Sequence, residues 1–185
     1  MTIRYIADMH FDHADIIAYD DRPFDSTEEM NEAMIANWNA VVGPEDLTWI
    51  LGDFCVGGPD RWAELLGRLN GRKCLITGNH DDPDTVSVVS NLFEEVAPYR
   101  EITDGERHVV LCHYPIPSFR NHYFGWYHLY GHVHTAFEWG VAKNARRLLR
   151  NLYAREDVCR MVNAGVMVPC VDYTPRTLDE LAGQL

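Results

Sequence analysis

The stretch "LYGHVHTAF", residues 129–137, ends a run of sheet-forming residues with a glycine and two histidines around one valine. Taken alone, His132 and His134 fit a polar strand end meeting solvent as well as they fit a metal site, imidazole being the commonest metal ligand near neutral pH. The same event recurs along the chain. A strand expected over 2–8 runs into Asp8-Met9-His10. A strand over 46–52 runs into Gly52-Asp53, and one over 73–77 into Gly78-Asn79-His80-Asp81. A strand over 107–112 stops at His113, and one over 127–131 at Gly131-His132-Val133-His134. In open α/β sheets the carboxyl ends of the strands line the functional crevice. Five strands that deliver His, Asp or Asn to that edge point to a built site.

Between these strands the pattern switches to helical spacing. Residues 26–42 place Met30, Met34, Ile35 and Trp38 on one stripe, with Ser26 as cap and Glu29 closing a capping box. Helices are also expected over 59–69, 83–91 and 177–185, the last capped by Thr177 and Glu180, and another strand over 159–166. Strands alternate with helices early and dominate later, which predicts an α/β chain with mixed sheets. With 185 residues and no linker or repeat, a single domain over 1–185 is expected. No long apolar run or leader-like segment is present, so neither a membrane span nor a signal peptide is expected. Five scattered cysteines without a C-x-x-C pair suit reduced core residues and a cytoplasmic location. A net charge of −12 argues against broad nucleic-acid binding.

Asp8, His10, Asp53, Asn79, His113, His132 and His134 are seven oxygen and nitrogen donors. A tetrahedral zinc site takes about four. Two divalent ions sharing one carboxylate fit the surplus, and a mixed N/O set without thiolate suits manganese, iron, zinc or nickel. Two such ions clamp a phosphoryl oxygen and lower the pKa of a bridging water.

In this order, Asp8-x-His10, Gly52-Asp53, Gly78-Asn79-His80-Asp81, His113 and Gly131-His132-x-His134 resemble the calcineurin-like metallophosphoesterase superfamily. "HFDHADIIAYDDRPF" and "VNAGVMVPCVDYTPRTLDEL" resemble its compact bacterial and phage branch. The resemblance implies a four-layer α/β/β/α sandwich, the metallophosphoesterase fold, with metals at one edge. It implies that Asp8, His10 and His134 hold a first ion, that Asn79, His113 and His132 hold a second, and that Asp53 bridges them. His80 matches the catalytic histidine that contacts phosphate and protonates the leaving oxygen, with Asp81 orienting it. The implied activity is hydrolysis of phosphate esters, diesters before monoesters, by attack of a bridging hydroxide. A nuclease, a cyclic-nucleotide phosphodiesterase and a non-catalytic binding scaffold stay open as alternatives. The intact His80 favours the enzyme.

Four further residues are candidate substrate contacts. His13 is either a helix-start residue or a support or substrate contact. Arg22 pairs with either a distal phosphate or a local acid. Arg120 and His122 belong to the aromatic segment 115–128, read as a wall of the substrate site beside His113. Asn163 is expected near the metals without ligating them. The basic residues Lys143, Arg146, Arg147, Arg150 and Arg155 are expected to form a solvated helix face, the alternative being a clamp for a phosphate-rich substrate or an acidic partner. Oligomeric state, and nucleotides as substrates, are left open by the sequence.

Overall fold

Neighbouring residues of β1 (Ile3–Ile6) enter different cores: Tyr5 faces one side of the sheet and Ile6 the other. The same alternation places Trp49 against Ile50 in β2 (Leu47–Ile50) and Cys74 against Leu75 in β3 (Arg72–Ile76). Period-two alternation with both faces apolar means a sheet covered on both sides. The computed structural model, which describes residues 1–185, shows what covers it.

The first sheet is wholly parallel, in the order β1-β2-β3-β4, with β4 at Glu95–Ala97. Its outer face carries α1 (Ala14–Tyr19), α2 (Thr27–Val41), α3 (Pro59–Arg68) and α4 (Pro83–Val89) over a core that includes Met30, Met34, Trp38, Trp62 and Leu65. Its inner face packs on a second sheet, built of β5 (Tyr99–Asp104), β6 (Arg107–Cys112), β7 (Tyr127–Tyr130) and β8 (Arg160–Asn163). In that sheet β5 and β6 are antiparallel and the other pairs parallel. The far face of the second sheet buries Val110, Tyr130 and Met161 against Ala142 of α5 (Phe137–Tyr153). The result is an α/β/β/α sandwich, as expected. Leu178 and Leu181 of α6 (Leu178–Ala182) close the inter-sheet core.

The two sheets touch where β1 and β8 end. Ala7 N–H donates to the Ala164 carbonyl (2.8 Å), and Val166 N–H donates to that of Ala7 (3.0 Å). This short parallel bridge brings the carboxyl ends of both sheets to one edge, and with them every strand end singled out above.

The strand expected over 107–112 is observed with those bounds and the one over 73–77 lies one residue earlier, while those over 2–8, 46–52 and 127–131 are shorter than their apolar runs. The ladders stop at Ile6, Ile50, Ile76, Cys112 and Tyr130, and the site-bearing residues lie beyond them. Ser26 caps α2 as expected, but Glu29 reaches the N–H of Asp25 and not that of Ser26. The capping box of Thr177 and Glu180 is complete. The sequence reading contained neither α1 nor β4 and β5.

Candidate metal centre

Five of the seven expected donors leave their strands in the left-handed backbone region: Asp8 (φ 57°), His10 (50°), Asp53 (56°), His132 (67°) and His134 (46°). Non-glycine residues seldom adopt this conformation, and it clusters at functional sites. It turns each side chain back over the strand end. Gly52 (φ 90°) shows the sterics: a Cβ there would collide with the His113 ring and the Gly78 backbone. At Gly131 a Cβ would lie 2.8 Å from both Asp8 carboxylate oxygens.

The donors converge in two groups. Asp8, His10, Asp53 and His134 bring one atom each within 4.8 Å of one another, and so do Asp53, His113 and His132. Asp53 belongs to both. Asn79 joins the second group, its Oδ1 lying 2.9 Å from His113 Nε2 and 2.8 Å from His132 Nδ1.

Three imidazoles are held by the nitrogen that faces away from the cluster. His113 Nδ1 donates to the Leu51 carbonyl (2.8 Å), His134 Nδ1 to Asp20 (2.8 Å), and His10 Nδ1 sits 3.2 Å from His13 Nδ1. Such contacts fix the tautomer that leaves Nε2 free to ligate. His10 Nε2 and Asp8 Oδ2 are buried without any hydrogen-bond partner. Buried polar atoms are ordinarily paired, and an orphaned acceptor beside an orphaned imidazole nitrogen is what an ion would satisfy.

The electrostatics agree. Burial pushes the Asp8 carboxyl up and the His10 imidazole down to about 2. At Asp53 burial raises the pKa, but the hydrogen bond and charge of His113 outweigh it and hold the carboxyl at about 2. At His113 burial lowers the pKa, and the hydrogen bond to Asp53 with the charges of Asp8 and Asp53 lifts it to about 9. The charge of His134, then that of His113, opposes the effect of burial at Asp8, and His113 does so at Asp53. A divalent cation fits that role and the donor set.

The remaining expected residues divide. His80 lines the site cavity, and its backbone N–H donates to Asp53 Oδ1 (2.9 Å). Asp81 does not orient the His80 ring. Its buried carboxylate accepts from the N–H groups of Phe54 (2.9 Å), Asp53 (3.0 Å) and Gly78 (2.7 Å), stapling together the loops after β2 and β3. His13 both starts α1 and contacts His10. Arg22 takes the local acid and not a phosphate: it is buried, bonded to Asp20, and donates to the carbonyls of Met9 and Asp8 (2.9 Å each). Arg120 pairs with Glu101 (2.7 Å), and His122 Nδ1 is held by the Phe119 carbonyl (3.0 Å). Neither lines the cavity, so the expected wall at 115–128 is not there. Asn163 is buried and donates to the His134 carbonyl (2.8 Å).

Asp20 was missed by sequence reading. It lies in "YDDRPF", where nothing separates it from a surface acid; only its place between Arg22 and His134 reveals it. The cavity, of about 350 Å³, opens from the centre along α1 towards the start of α5. Its outer part is edged by Asp15, Ile16, Tyr19, Ala136 and Glu138, and no Lys or Arg lines it. In the basic segment, Arg146 and Arg150 donate to backbone carbonyls and Arg155 pairs with Asp157, all away from this cavity.

Comparison with known proteins gives four findings. The family model for the calcineurin-like phosphoesterase domain matches residues 1–151. An uncharacterized protein of Methanocaldococcus jannaschii is 38% identical over 135 residues, covering 72% of this chain and 69% of its own. The Gene 66 protein of Mycobacterium phage D29 is 30% identical over 194 residues, covering 90% and 96%. Among solved structures, a protein of unknown function from Aquifex aeolicus matches with a TM-score of 0.72 and 26% identity over 99% of this chain and 98% of its own.

Proposed function

Because the chain belongs to the calcineurin-like phosphoesterase family, we propose that it is a phosphodiesterase for small esters, working with two divalent ions at the Asp8–His134 centre. The observation that carries this reading is the pair of donor clusters sharing Asp53, with Asp8 Oδ2 and His10 Nε2 left unpaired inside one of them. Asp8, His10 and His134 would hold one ion, Asn79, His113 and His132 the other, and Asp53 would serve both. Ions so held would activate water at neutral pH and neutralise charge building on the phosphoryl oxygens.

The protein's own groups do the rest. Asp20, His13 and the Leu51 carbonyl keep three imidazoles in the ligating tautomer. Asp81 ties Asp53 and the Asn79 loop into one rigid unit. The His80 imidazole, in the cavity beside the centre, binds a phosphoryl oxygen and hands its proton to the departing alkoxide.

Charge narrows the substrate. Asp15 and Glu138 edge the cavity and no Lys or Arg does, so no permanent cation there pairs with a second phosphate. This supports an ester with one phosphoryl group over a nucleic acid. Five free cysteines, four of them buried, support a reducing, cytoplasmic setting.

The test is hydrolysis by metal-loaded protein. Bis-p-nitrophenyl phosphate is expected to turn over faster than p-nitrophenyl phosphate, with single-stranded DNA and RNA left intact. Monoester preference contradicts the diester assignment, and no turnover of either ester contradicts the enzyme.

A further inference from the structure

We propose that the outer face of α5 is a dimer interface, and that the chain pairs with a second copy of itself through this helix about a two-fold axis. Phe137, Val141, Leu148 and Leu152 are 83%, 51%, 68% and 75% exposed. At 3.6 residues per turn all four fall within a stripe about 60° wide. The stripe points away from Ala142 and Arg146, which turn to the second sheet.

The spacing is palindromic. Reversing the helix about the point between Asn144 and Ala145 exchanges Phe137 with Leu152 and Val141 with Leu148. An isologous interface requires such a self-complementary surface, residue i meeting j and j meeting i. A patch evolved for an unrelated partner has no reason to read the same in both directions. The residues at the axis, Asn144 and Ala145, are small enough for close approach of two antiparallel helices.

Size and charge select the same occupant. With side chains of ordinary area, the exposed fractions amount to about 500 Å² of apolar surface per copy, the upper range for a monomer's largest patch. Two copies then bury about 1,000 Å², the lower bound for a specific interface, before flanking polar contacts are added. The chain carries a net charge of −12, which repels it from anionic lipid. The bases of α5 do not rim the stripe as they do in membrane-surface helices. Lys143, Arg146 and Arg150 project to the opposite side. Arg147 lies on that side too, in one basic depression with Lys143, Arg146 and Arg150.

Antiparallel pairing has a consequence for the cavity. It sets the C-terminal end of one α5 beside the N-terminal end of the other, where Ala136 and Glu138 edge the cavity mouth. Association itself does not depend on the proposed activity.

Sedimentation velocity between about 1 and 100 μM, the affinity range open to an interface of this size, tests the proposal. A reversible dimer is expected. Leu148→Glu, at an exposed position that leaves the core intact, is expected to weaken it at least about 100-fold by burying carboxylates in an apolar seam. Ala145→Cys, beside the axis, is expected to cross-link to itself on mild oxidation, while Glu156→Cys at the exposed end does not. A monomer throughout the range overturns the proposal, as does a dimer indifferent to Leu148→Glu. Binding of monomeric protein to phosphatidylglycerol vesicles that Leu148→Glu abolishes also overturns it and gives the stripe to lipid.

Discussion

Replacing Asp20 with alanine removes the group that connects Arg22 to the proposed ligand His134. In the intact protein both carboxylate oxygens lie 2.8 Å from His134 Nδ1, and Oδ2 also accepts from Arg22 Nε (3.2 Å) and Nη2 (3.0 Å). Two losses follow. The imidazole loses the acceptor that fixes its tautomer and raises its basicity, a change that typically costs 10–100-fold in metal affinity. The buried Arg22 keeps its carbonyl partners at Met9 and Asp8 but loses its counter-ion, and breaking a buried pair costs about 3 kcal/mol or more. Asp20→Asn keeps a neutral acceptor for His134, so its affinity loss is expected to be smaller than that of Asp20→Ala. Calorimetric titration of metal-free protein with Mn²⁺ reads the first loss, and urea unfolding of the same samples reads the second. The expected result is one weakened site and one unchanged, because His113 and His132 do not touch Asp20. Unaltered affinity at both sites in Asp20→Ala would mean that Asp20 does not support His134 as a ligand.

Three further outcomes are expected. His80→Ala should lose about 10²–10⁴-fold in kcat on esters with poor leaving groups and less on p-nitrophenyl esters, at unchanged metal content; equal losses, or lost metal, would contradict a leaving-group role. Asp81→Ala leaves the N–H groups of Asp53, Phe54 and Gly78 without their acceptor and should destabilise the protein by about 3 kcal/mol or more in urea unfolding; a loss under about 1 kcal/mol would refute the staple. Burial holds His128, whose Nε2 accepts from Ile116 N–H (3.0 Å), down to about 4. The unfolded chain takes up that proton first, so stability falls as pH drops from about 6.5 towards 4, by up to about 3 kcal/mol. His128→Gln should flatten that part of the pH–stability curve, and a parallel curve would assign the acid sensitivity elsewhere.

The strand-end motifs were legible because each follows an apolar run whose alternation fixes where the chain surfaces. His113 after "RHVVLC" and Asp53 after "LTWILG" fall at the sheet edge by register alone. β5, "YREITD", was not legible, since its mostly polar, partly exposed residues carry no alternation signal and antiparallel pairing with β6 defines it. α1 has six residues, too few for a helical period to emerge. Asp81 was read as orienting His80 from its place next to it, but its carboxylate meets three backbone N–H groups from two loops, a convergence that no spacing records. Arg120 and His122 misled because a basic aromatic loop next to His113 in sequence turns away from it in space, Phe119 being drawn into the core against Tyr130.

The most direct test of the account is a count of ions in the protein and in one variant. Metal-reconstituted protein, measured by elemental analysis and by anomalous scattering from crystals, should hold two ions per chain, both in contact with Asp53. Asp53→Asn, which keeps the shape but removes the shared charge, should retain the fold by circular dichroism while losing turnover and at least one ion. A single ion that does not touch Asp53, or a variant that keeps both ions and full turnover, would contradict the account.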